Sequence, residues 1–575
     1  MPAKKTKNKT PAARDAGASP RRLSLPRRFR PALLTLAAVL LVGLFSTPIH
    51  DTDFWWHLAT GRYLAQMHRL PVPDPFAYTT AHAGEAYPGE AVTRRFNLTH
   101  EWLAQLALYC VYRAAGFPGV VLWRALLLLA FCGLAGWIVW RRTGGLFRSL
   151  AATGACALVL VQAGFLTDRP YLVSYALLAL VLAILESRRR LWLLPAVMLL
   201  WANCHGGFFL GWLAIAVYAI AARPVSRALW IWGGAAIVIS GLNPNAYRVV
   251  PVLLAYRHSF LTSTLLEWAK PPVWPPQLFS VLLLLAFAAL AWARRTGRIT
   301  DWLLLGAFAV ASFSAARNIV LAGFFAPIVI ASYWPWKRAL PAAAQLVSAA
   351  LIAAAIPFGI VRGQMFQFRP ALWKFPAGAA DFLLAHHISG PIFNTYEWGG
   401  YLIWRLWPHE RVFIDGRALS ENVFHDYARI LYNHDASGGK SGAELLDAYG
   451  VRTIVMNGFE YTTGNLYLLA PALADPRQTA WRLVYRDAQS LVFMRQPPAG
   501  AQPLDSLETF NGLEDECSEE IAHEPQYPRC ARALGQTFSK IGDYARARRW
   551  IGIYLAHAAA PDPEAEEAFR RMAGY

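Results

Sequence analysis

The segment PALLTLAAVLLVGLFSTPIHDTDFWWHLATGRYL, residues 31–64, joins an apolar run to a stretch of acidic and aromatic residues. A membrane-spanning helix needs about 20 apolar residues, and residues 31–48 come close to that length. Hydrophobic residues make up 56% of the 575-residue chain and charged residues only 16%, whereas soluble proteins average roughly 45–50% and 25%. This composition excludes disordered, collagen-like and disulfide-scaffold classes and predicts an α-helical polytopic membrane protein.

Apolar runs recur along the chain and predict about eleven transmembrane helices, at residues 31–48, 117–140, 149–166, 171–187, 190–204, 207–222, 228–242, 275–293, 301–315, 318–335 and 341–361. Basic clusters mark the cytoplasmic ends of spans. The tail 1–30 holds ten Lys and Arg residues, and the clusters that fall on its side of the membrane are at residues 141–148, 188–190, 223–227, 294–298 and 337–338. The N-terminus is therefore predicted to be cytoplasmic and the C-terminal domain external or periplasmic, in the cytoplasmic (inner) membrane. A basic tail before a span favours anionic membrane lipids as its partner over nucleic acid.

Changes in composition divide the chain into a basic disordered tail (1–30), a transmembrane domain (31–362) with a large first external loop (49–116), an external domain (363–500) and a helical tail (501–575). In the external domain, strand patterns alternate with helical ones, which predicts an α/β fold. The predicted helices are 397–406, 421–432 and 442–449, and the predicted strands are 390–394, 411–415, 451–456, 481–487 and 490–495.

The helical tail carries the spacing of one tetratricopeptide-like (TPR-like) unit, with Leu534, Phe538 and Ala547 among its apolar positions. A single repeat cannot bury its own apolar face. We therefore expect the tail to pack on the external domain or on an envelope protein partner. Cys517 and Cys530 lie in the predicted oxidising compartment and are candidates for a disulfide.

Two acids, Asp51 and Asp53, follow the first span directly. From Phe54 onward the spacing is helical, and Trp55 and Trp56 suit the membrane interface. One interpretation is an interfacial helix with Asp51 or Asp53 as its N-cap. The other is a pair of carboxylates at the membrane surface that accept a proton or bind a cation.

Further polar residues gather in the predicted outer loops. Such residues are costly near a membrane, so they are functional hypotheses by default, although each alone also fits a helix cap or a turn. Arginines and a histidine beside acids suit a phosphate-bearing ligand and an acid/base step. The predicted substrate-binding residues of the transmembrane domain are Glu101, Arg169, Asn203, His205, Arg317 and Asn318.

In the external domain, Asp415-Gly416-Arg417 follows a predicted strand. Ligands commonly bind at the carboxyl ends of strands in α/β folds, so Asp415 and Arg417 are also predicted to bind substrate. A turn with a local Asp–Arg pair explains the same residues equally well.

The segment Asp53-Phe-Trp-Trp-His-Leu-Ala-Thr-Gly-Arg-Tyr-Leu is similar to the DPxFNxRxTxYL-type stretch of oligosaccharyltransferase catalytic subunits. The chain thus resembles GT-C-fold glycosyltransferases, which take sugars from polyprenyl phosphate carriers and use an aspartate of the first external loop. This resemblance implies that Asp53 is catalytic. The DE-xx-Y stretch of aminoarabinose and lipid-linked mannose transferases instead matches Asp51, and we favour Asp53 because its match is longer.

The resemblance also implies a cofactor. In oligosaccharyltransferases a second-loop acid and the glutamate of a TxxE motif join the first aspartate around a divalent cation, Mg or Mn. Asp168 lies in the corresponding turn, and Thr264-Leu-Leu-Glu267 has the TxxE spacing, so Asp53, Asp168 and Glu267 are the implied ligands. The Trp-Trp-Asp motif that reads the asparagine sequon does not occur in the external domain, so the acceptor side of the resemblance does not carry over.

The sequence therefore predicts a membrane glycosyltransferase that moves a sugar from a polyprenyl-phosphate donor to an acceptor on the outer face. A non-catalytic envelope assembly factor is the first alternative. A transporter of lipid-linked glycans is the second, but it needs polar groups through the membrane and usually a repeated half, and the sequence shows neither.

Overall fold

The structure is a computed structural model that describes residues 29–82, 84–164, 166–221, 225–335, 342–433, 439–525 and 528–574. Most of the basic tail, with its predicted contact to lipid, lies outside the described residues. All statements below concern the described part of the chain.

Helices dominate the first 361 residues, and each predicted span overlaps one of them. They are α1 (Arg30–Phe45), α2 (Phe54–Met67), α3 (Glu90–Thr99), α4 (Trp102–Thr143), α5 (Leu146–Gln162), α6 (Tyr171–Ser187), α7 (Leu194–Cys204), α8 (Phe209–Ala221), α9 (Arg227–Ile239), α10 (Val249–Ala255), α11 (Leu261–Thr264), α12 (Leu278–Trp292), α13 (Ile299–Ser314), α14 (Ile319–Tyr333) and α15 (Ala342–Val361). A large apolar core lies among α4 to α8 and α12 to α14.

Length and composition qualify two described helical stretches, Glu90–Thr143 and Ala316–Tyr333, as able to cross a membrane. The first joins α3 and α4 and is interrupted at Gly116, whose φ of 61° is not helical. The other apolar helical stretches, which include residues 345–361 of α15, are 10–17 residues long, shorter than the roughly 20 residues of a typical span. The eleven-span topology therefore stays a prediction.

Charged residues assigned by the sequence to the cytoplasmic side meet in one network. Arg142 donates to both Glu186 and Asp301, with N–O distances of 3.0 and 3.1 Å. Arg298 donates to the same two carboxylates at 2.7 and 3.3 Å. This network ties together the ends of α4, α6 and α13, away from the acids of the first external loop.

The helix α2 begins at Phe54 as predicted, but it is not an interfacial anchor. Trp55 is 1% exposed, Trp56 7% and Tyr63 3%, so the aromatic residues that suit a lipid interface are in the protein core. They are covered because α2 packs between α4 and a helix of the external domain. Of the two interpretations of this segment, the interfacial anchor helix is therefore wrong.

The external domain and tail contain α16 (Ala377–Ala385), β1 (Ile392–Asn394), α17 (Gly399–Leu406), α18 (Glu421–Leu431), α19 (Gly442–Ala448), β2 (Thr453–Met456), α20 (Leu469–Leu473), β3 (Arg482–Arg486), β4 (Leu491–Met494), α21 (Glu508–His523), α22 (Arg529–Lys540), α23 (Tyr544–His557) and α24 (Pro563–Arg571). The described strands form one sheet in the order β1-β2-β4-β3, with β1 and β2 parallel and the other pairs antiparallel.

Residues 411–415 were predicted to form a strand, and this prediction is wrong. Val412 instead exchanges backbone hydrogen bonds with the first external loop, donating to Phe76 at 2.9 Å and accepting from Tyr78 at 3.2 Å. The Asn394 side chain accepts from the Phe413 amide at 2.9 Å and donates to the Ile414 carbonyl at 2.8 Å. The segment is therefore held between β1 and the first loop.

The tail packs on the external domain through a shared apolar core that includes Leu473, Leu513, Phe538 and Trp550. Helices α22 and α23 pack closely on each other, while membership of the TPR family stays a prediction. Cys517 and Cys530 form a disulfide, which links α21 to α22.

Candidate functional site

A polar cavity of about 170 Å³ lies where three parts of the chain meet. These parts are the first external loop with α2 and α3, the outer loop around residues 256–268, and the external-domain segment 416–421. Side chains of three other outer turns, at residues 169–171, 205 and 317, complete the wall. Of the predicted site residues, the cavity wall contains Asp53, Glu101, Arg169, His205, Glu267, Arg317 and Arg417. The fold thus brings together side chains that lie up to 364 positions apart in sequence.

Asp53 stands at the N-cap position of α2, but its side chain makes no capping hydrogen bond. Its carboxylate instead pairs with Arg169 at 2.8 Å and is 14% exposed. Asp51 also pairs with Arg169, at 2.7 Å, is 4% exposed, and accepts the Asp53 amide hydrogen at 3.0 Å. Asp51 therefore positions Arg169 and the start of α2, whereas Asp53 faces the cavity.

Burial raises the pKa of Asp53 to about 7, and this effect is larger than the opposing attraction of Arg169. The nearby carboxylates of Asp51 and Glu267 raise this pKa further. A carboxyl group whose pKa is close to neutrality can accept a proton and release it again, which is the property a general base requires.

The external domain covers Asp53 through glycines that leave no room for a side chain. A Cβ atom on Gly416 would lie 1.7 Å from Asp53 Oδ1. One on Gly400 would lie 2.8 Å from the Thr52 carbonyl oxygen, and one on Gly399 would lie 2.6 Å from Asp415 Cα. Real Cβ atoms essentially never approach other heavy atoms so closely. These glycines therefore allow the external domain to pack directly against Asp53.

Asp415 and Arg417 form a buried ion pair at 2.6 Å. Arg417 also donates to Asp74 of the first external loop at 2.9 Å, and the three side chains are 1–3% exposed. The arrangement matches the local Asp–Arg pair of the second interpretation and extends it to a third residue. It fastens the external domain to the first loop beside Gly416.

A second cavity, of about 620 Å³, adjoins the first and shares Arg169, Tyr171, Glu267 and Arg317 with it. Its wall is more apolar and comes from α5, α12 and the start of α14, with Val159, Leu278, Phe279 and Ile319 among its residues. Arg317 stacks on the Trp268 ring at 4.4 Å. Among the described residues no carboxylate pairs with its guanidinium, which lines both cavities.

The three carboxylates that the resemblance implies as ligands of a divalent cation do not meet around one point. Asp53 and Glu267 both face Arg169, at 2.8 and 3.4 Å, so a guanidinium lies where the cation is expected. Asp168 pairs instead with Arg124 at 2.7 Å, and both side chains are at most 1% exposed. In the part of the chain that the structure describes, these carboxylates form no group with metal-ligand spacing.

The remaining predicted residues divide into two kinds. Glu101 lies 3.5 Å from His205 Nε2 and 3.4 Å from His57 Nδ1, in the cavity wall. Asn203 accepts from Trp102 at 3.0 Å and donates to two backbone carbonyls, and Asn318 donates to the Ala311 carbonyl at 3.1 Å. These two asparagines fasten helix ends and do not line the cavity.

Sequence reasoning missed His57, His100 and Gly416 as parts of the site. His57 lies one helical turn after Asp53, and His100 directly precedes Glu101, so the positions of both histidines beside acids that were named were available signals. Nothing in the sequence alone pairs Gly416 with Asp53, because that contact depends on the docking of a distant domain.

No family model and no curated protein matches this chain. Its structure is similar to the crystal structure of the Archaeoglobus fulgidus oligosaccharyltransferase tethered through a disulfide to an acceptor peptide with the NVT sequon. The two chains are 11% identical with a TM-score of 0.45, over 83% of this chain and 75% of the other. At this level the likeness says nothing about activity, so the function proposed below rests on the residues of the site.

Proposed function

We propose that this protein is a membrane glycosyltransferase that uses a polyprenyl-phosphate-linked sugar donor. One observation carries the proposal: a general-base candidate, Asp53, lines a polar cavity, and two arginines, Arg169 and Arg317, line both this cavity and the adjoining apolar one. A donor of this class has a long apolar chain, a phosphate and a sugar. The apolar cavity matches the lipid chain, the two arginines match the phosphate, and the polar cavity matches the sugar.

The apolar cavity would hold the beginning of the lipid chain, and the phosphate would lie between Arg317 and Arg169. Arginine suits phosphate because its planar fork donates two parallel hydrogen bonds. Arg317 has the guanidinium available for this, since its described partner is the face of Trp268. Arg169 would exchange part of its contact with Asp53 and Glu267 for the phosphate.

The acceptor would enter the polar cavity beneath the external domain. Asp53 would remove the proton from its hydroxyl group as the oxygen attacks the anomeric carbon, and the bond from that carbon to the phosphate oxygen would break. The arginines would stabilise the charge that develops on the departing phosphate. A base and a charge-stabilised leaving group on either side of one carbon are what this reaction requires.

Replacing Arg317 by Ala tests the donor side. We expect undecaprenyl phosphate to bind the purified full-length variant about 10- to 150-fold more weakly, because a hydrogen bond to a charged group contributes about 1.5–3 kcal/mol. Binding is measured by native mass spectrometry or by titration in nanodiscs. Arg257→Ala is the matched control, because Arg257 is an exposed arginine of the outer loop that contains Trp268, and it lines neither cavity. Equal binding by the two variants would refute the proposed phosphate position.

The pH dependence of transfer tests the role of Asp53. The pKa of this carboxyl is raised to about 7, so below that pH it is protonated and cannot accept the acceptor's proton. We therefore expect kcat/KM to rise as the pH increases through about 7 and then to level off. Binding of undecaprenyl phosphate, measured over the same range, separates this effect from changes in donor affinity. A rate that falls as the pH rises through 7 would contradict a basic role.

The outer-face location of the acceptor belongs to the same proposal and follows from the predicted topology. If no polyprenyl-phosphate sugar is consumed and all cavity variants keep their cellular function, the envelope assembly factor becomes the better hypothesis.

A further inference from the structure

The wall of the polar cavity contains a group of three side chains that has no part in the transfer step described above. His100 and Glu101 follow α3, and His205 follows α7. Glu101 Oε1 is 3.3 Å from His100 Nε2 and 3.5 Å from His205 Nε2. All three ligand atoms lie within 4.8 Å of one another.

The two separations from Glu101 are those of a tetrahedral zinc site. Zinc binds histidine nitrogen at about 2.0–2.1 Å and carboxylate oxygen at about 2.0–2.2 Å, so neighbouring ligand atoms in a tetrahedron lie roughly 3.3–3.5 Å apart. Two of the three edges already have this length. Two histidines and one glutamate also form the ligand set of known catalytic zinc sites, in which the fourth position stays open.

The hydrogen bonds of His100 add a second observation. Its Nδ1 lies 2.9 Å from the Phe96 carbonyl oxygen, an acceptor, so the ring proton must be on Nδ1. In the neutral ring Nε2 then carries a lone pair, and this lone pair faces the Glu101 carboxylate at 3.3 Å. Two acceptors face each other at that distance only when a cation or a proton lies between them. A backbone carbonyl on the far ring nitrogen is also the usual support of a metal-bound histidine.

His205 is also held in place by its neighbours, although its Nδ1 accepts a hydrogen bond whereas that of His100 donates one. Its backbone is extended at the end of α7, and a Cβ atom on Gly206 would lie 3.0 Å from the Phe96 ring and 3.1 Å from His100. Gly206 thus allows the loop to approach α3 closely. His205 Nδ1 is 2.8 Å from Ser174 Oγ and accepts from the Gly207 amide at 2.9 Å. Metal binding through Nε2 would require the ring proton to move to Nδ1, which would then donate to Ser174 Oγ in place of accepting from the Gly207 amide.

We propose that His100, Glu101 and His205 bind one transition-metal cation of the zinc class, with its fourth position open to the polar cavity. Imidazole nitrogens suit zinc, whereas Mg²⁺ prefers an all-oxygen environment. The site therefore differs in position and in ligands from a cation held by Asp53, Asp168 and Glu267. The proposal goes beyond the transferase function and does not depend on it.

The test is the metal content of the full-length protein, purified without a histidine tag, stripped with a chelator and reloaded with Zn²⁺. We expect about one zinc per chain by mass spectrometry of the elements, and no displacement by excess Mg²⁺. His100→Ala and His205→Ala should each lower zinc affinity by on the order of 10-fold or more, because loss of a residue that only hydrogen-bonds to a metal ligand already costs 10- to 100-fold. His409→Ala, at an exposed histidine of the external domain, should bind zinc as the unaltered protein does.

Glu101→Gln keeps the shape of the side chain, so it tests the loss of a metal ligand even if the histidine variants misfold. It should lose the zinc-dependent rise in Tm that the unaltered protein shows, and the d–d absorption of the cobalt-loaded protein should disappear. An unaltered protein that retains less than about a tenth of a zinc per chain after loading would overturn the proposal. So would variants that bind zinc normally, and in both cases a protonated His100 paired with Glu101 would explain the geometry. Because no sugar donor is present, these outcomes are independent of whether the protein transfers sugars.

Discussion

Replacing Asp53 by Asn is expected to lower sugar transfer by about 10²- to 10⁴-fold, the usual contribution of a general base. The amide has nearly the shape of the carboxylate but cannot accept the proton. It also removes one of the negative partners of Arg169, which pairs with Asp53 at 2.8 Å. Release of free polyprenyl phosphate from a set of undecaprenyl-phosphate sugars measures the reaction without knowledge of the acceptor's identity.

Glu85→Gln is the matched control, because Glu85 is an exposed acid of the same loop outside both cavities. It should retain full activity. Both variants should reach the membrane in normal amounts, since the Asp53 side chain makes no capping bond to α2. Normal turnover by the Asp53→Asn protein would remove this residue from the mechanism and leave Asp51 as the alternative.

Replacing Gly416 by Ala is expected to reduce transfer by about 100-fold or more, although the added group is a single methyl. Its Cβ atom would lie 1.7 Å from Asp53 Oδ1, so the carboxylate or the whole 415–417 loop must move. A displacement of about 1 Å at a reacting group can cost on the order of 100-fold in rate. The measurement is kcat, because the displaced group acts on the chemical step.

Gly234→Ala serves as the comparison, because a Cβ atom at that helical position of α9 meets no other atom within 4 Å. It should leave both activity and Tm nearly unchanged. Undecaprenyl phosphate binding should remain normal in the Gly416→Ala protein, since Arg317 is untouched. If donor binding and catalysis fell together, the substitution would have disrupted the cavity as a whole, and the specific effect on Asp53 would be disproved.

The helical part of the fold follows from the sequence because apolar runs of sufficient length can satisfy their backbone only as helices. The start of α2 at Phe54 and the helix from Glu421 were predicted for similarly local reasons. The exposure of α2 was not predictable, since Trp55 and Trp56 suit a lipid interface and a protein core equally well. The segment 411–415 has the composition of a strand, but its backbone partners are in a loop more than 300 residues earlier.

The sequence predicted those site residues whose charge is costly to place beside a membrane. It missed those that reach the site only through the packing of distant segments. Asp53, Arg169 and Arg317 stand out because charged residues beside a membrane require a reason. Asp168 is also a charged residue beside the predicted membrane, yet it is there to pair with the buried Arg124. The sequence gives no sign of this pairing. The contact of Gly416 with Asp53 depends on how two folded parts meet, and no local pattern records that.

The glycine contacts over Asp53 also determine when the protein becomes competent during its synthesis. Gly416 follows Asp53 by 363 positions, and in the predicted topology all the spans must be inserted before it is exported. Until then the Asp53 carboxylate is exposed to water, because the external domain does not yet cover it. Newly made, incomplete chains would therefore be inert towards the lipid-linked sugars around them, and a chain interrupted anywhere before residue 416 would remain so.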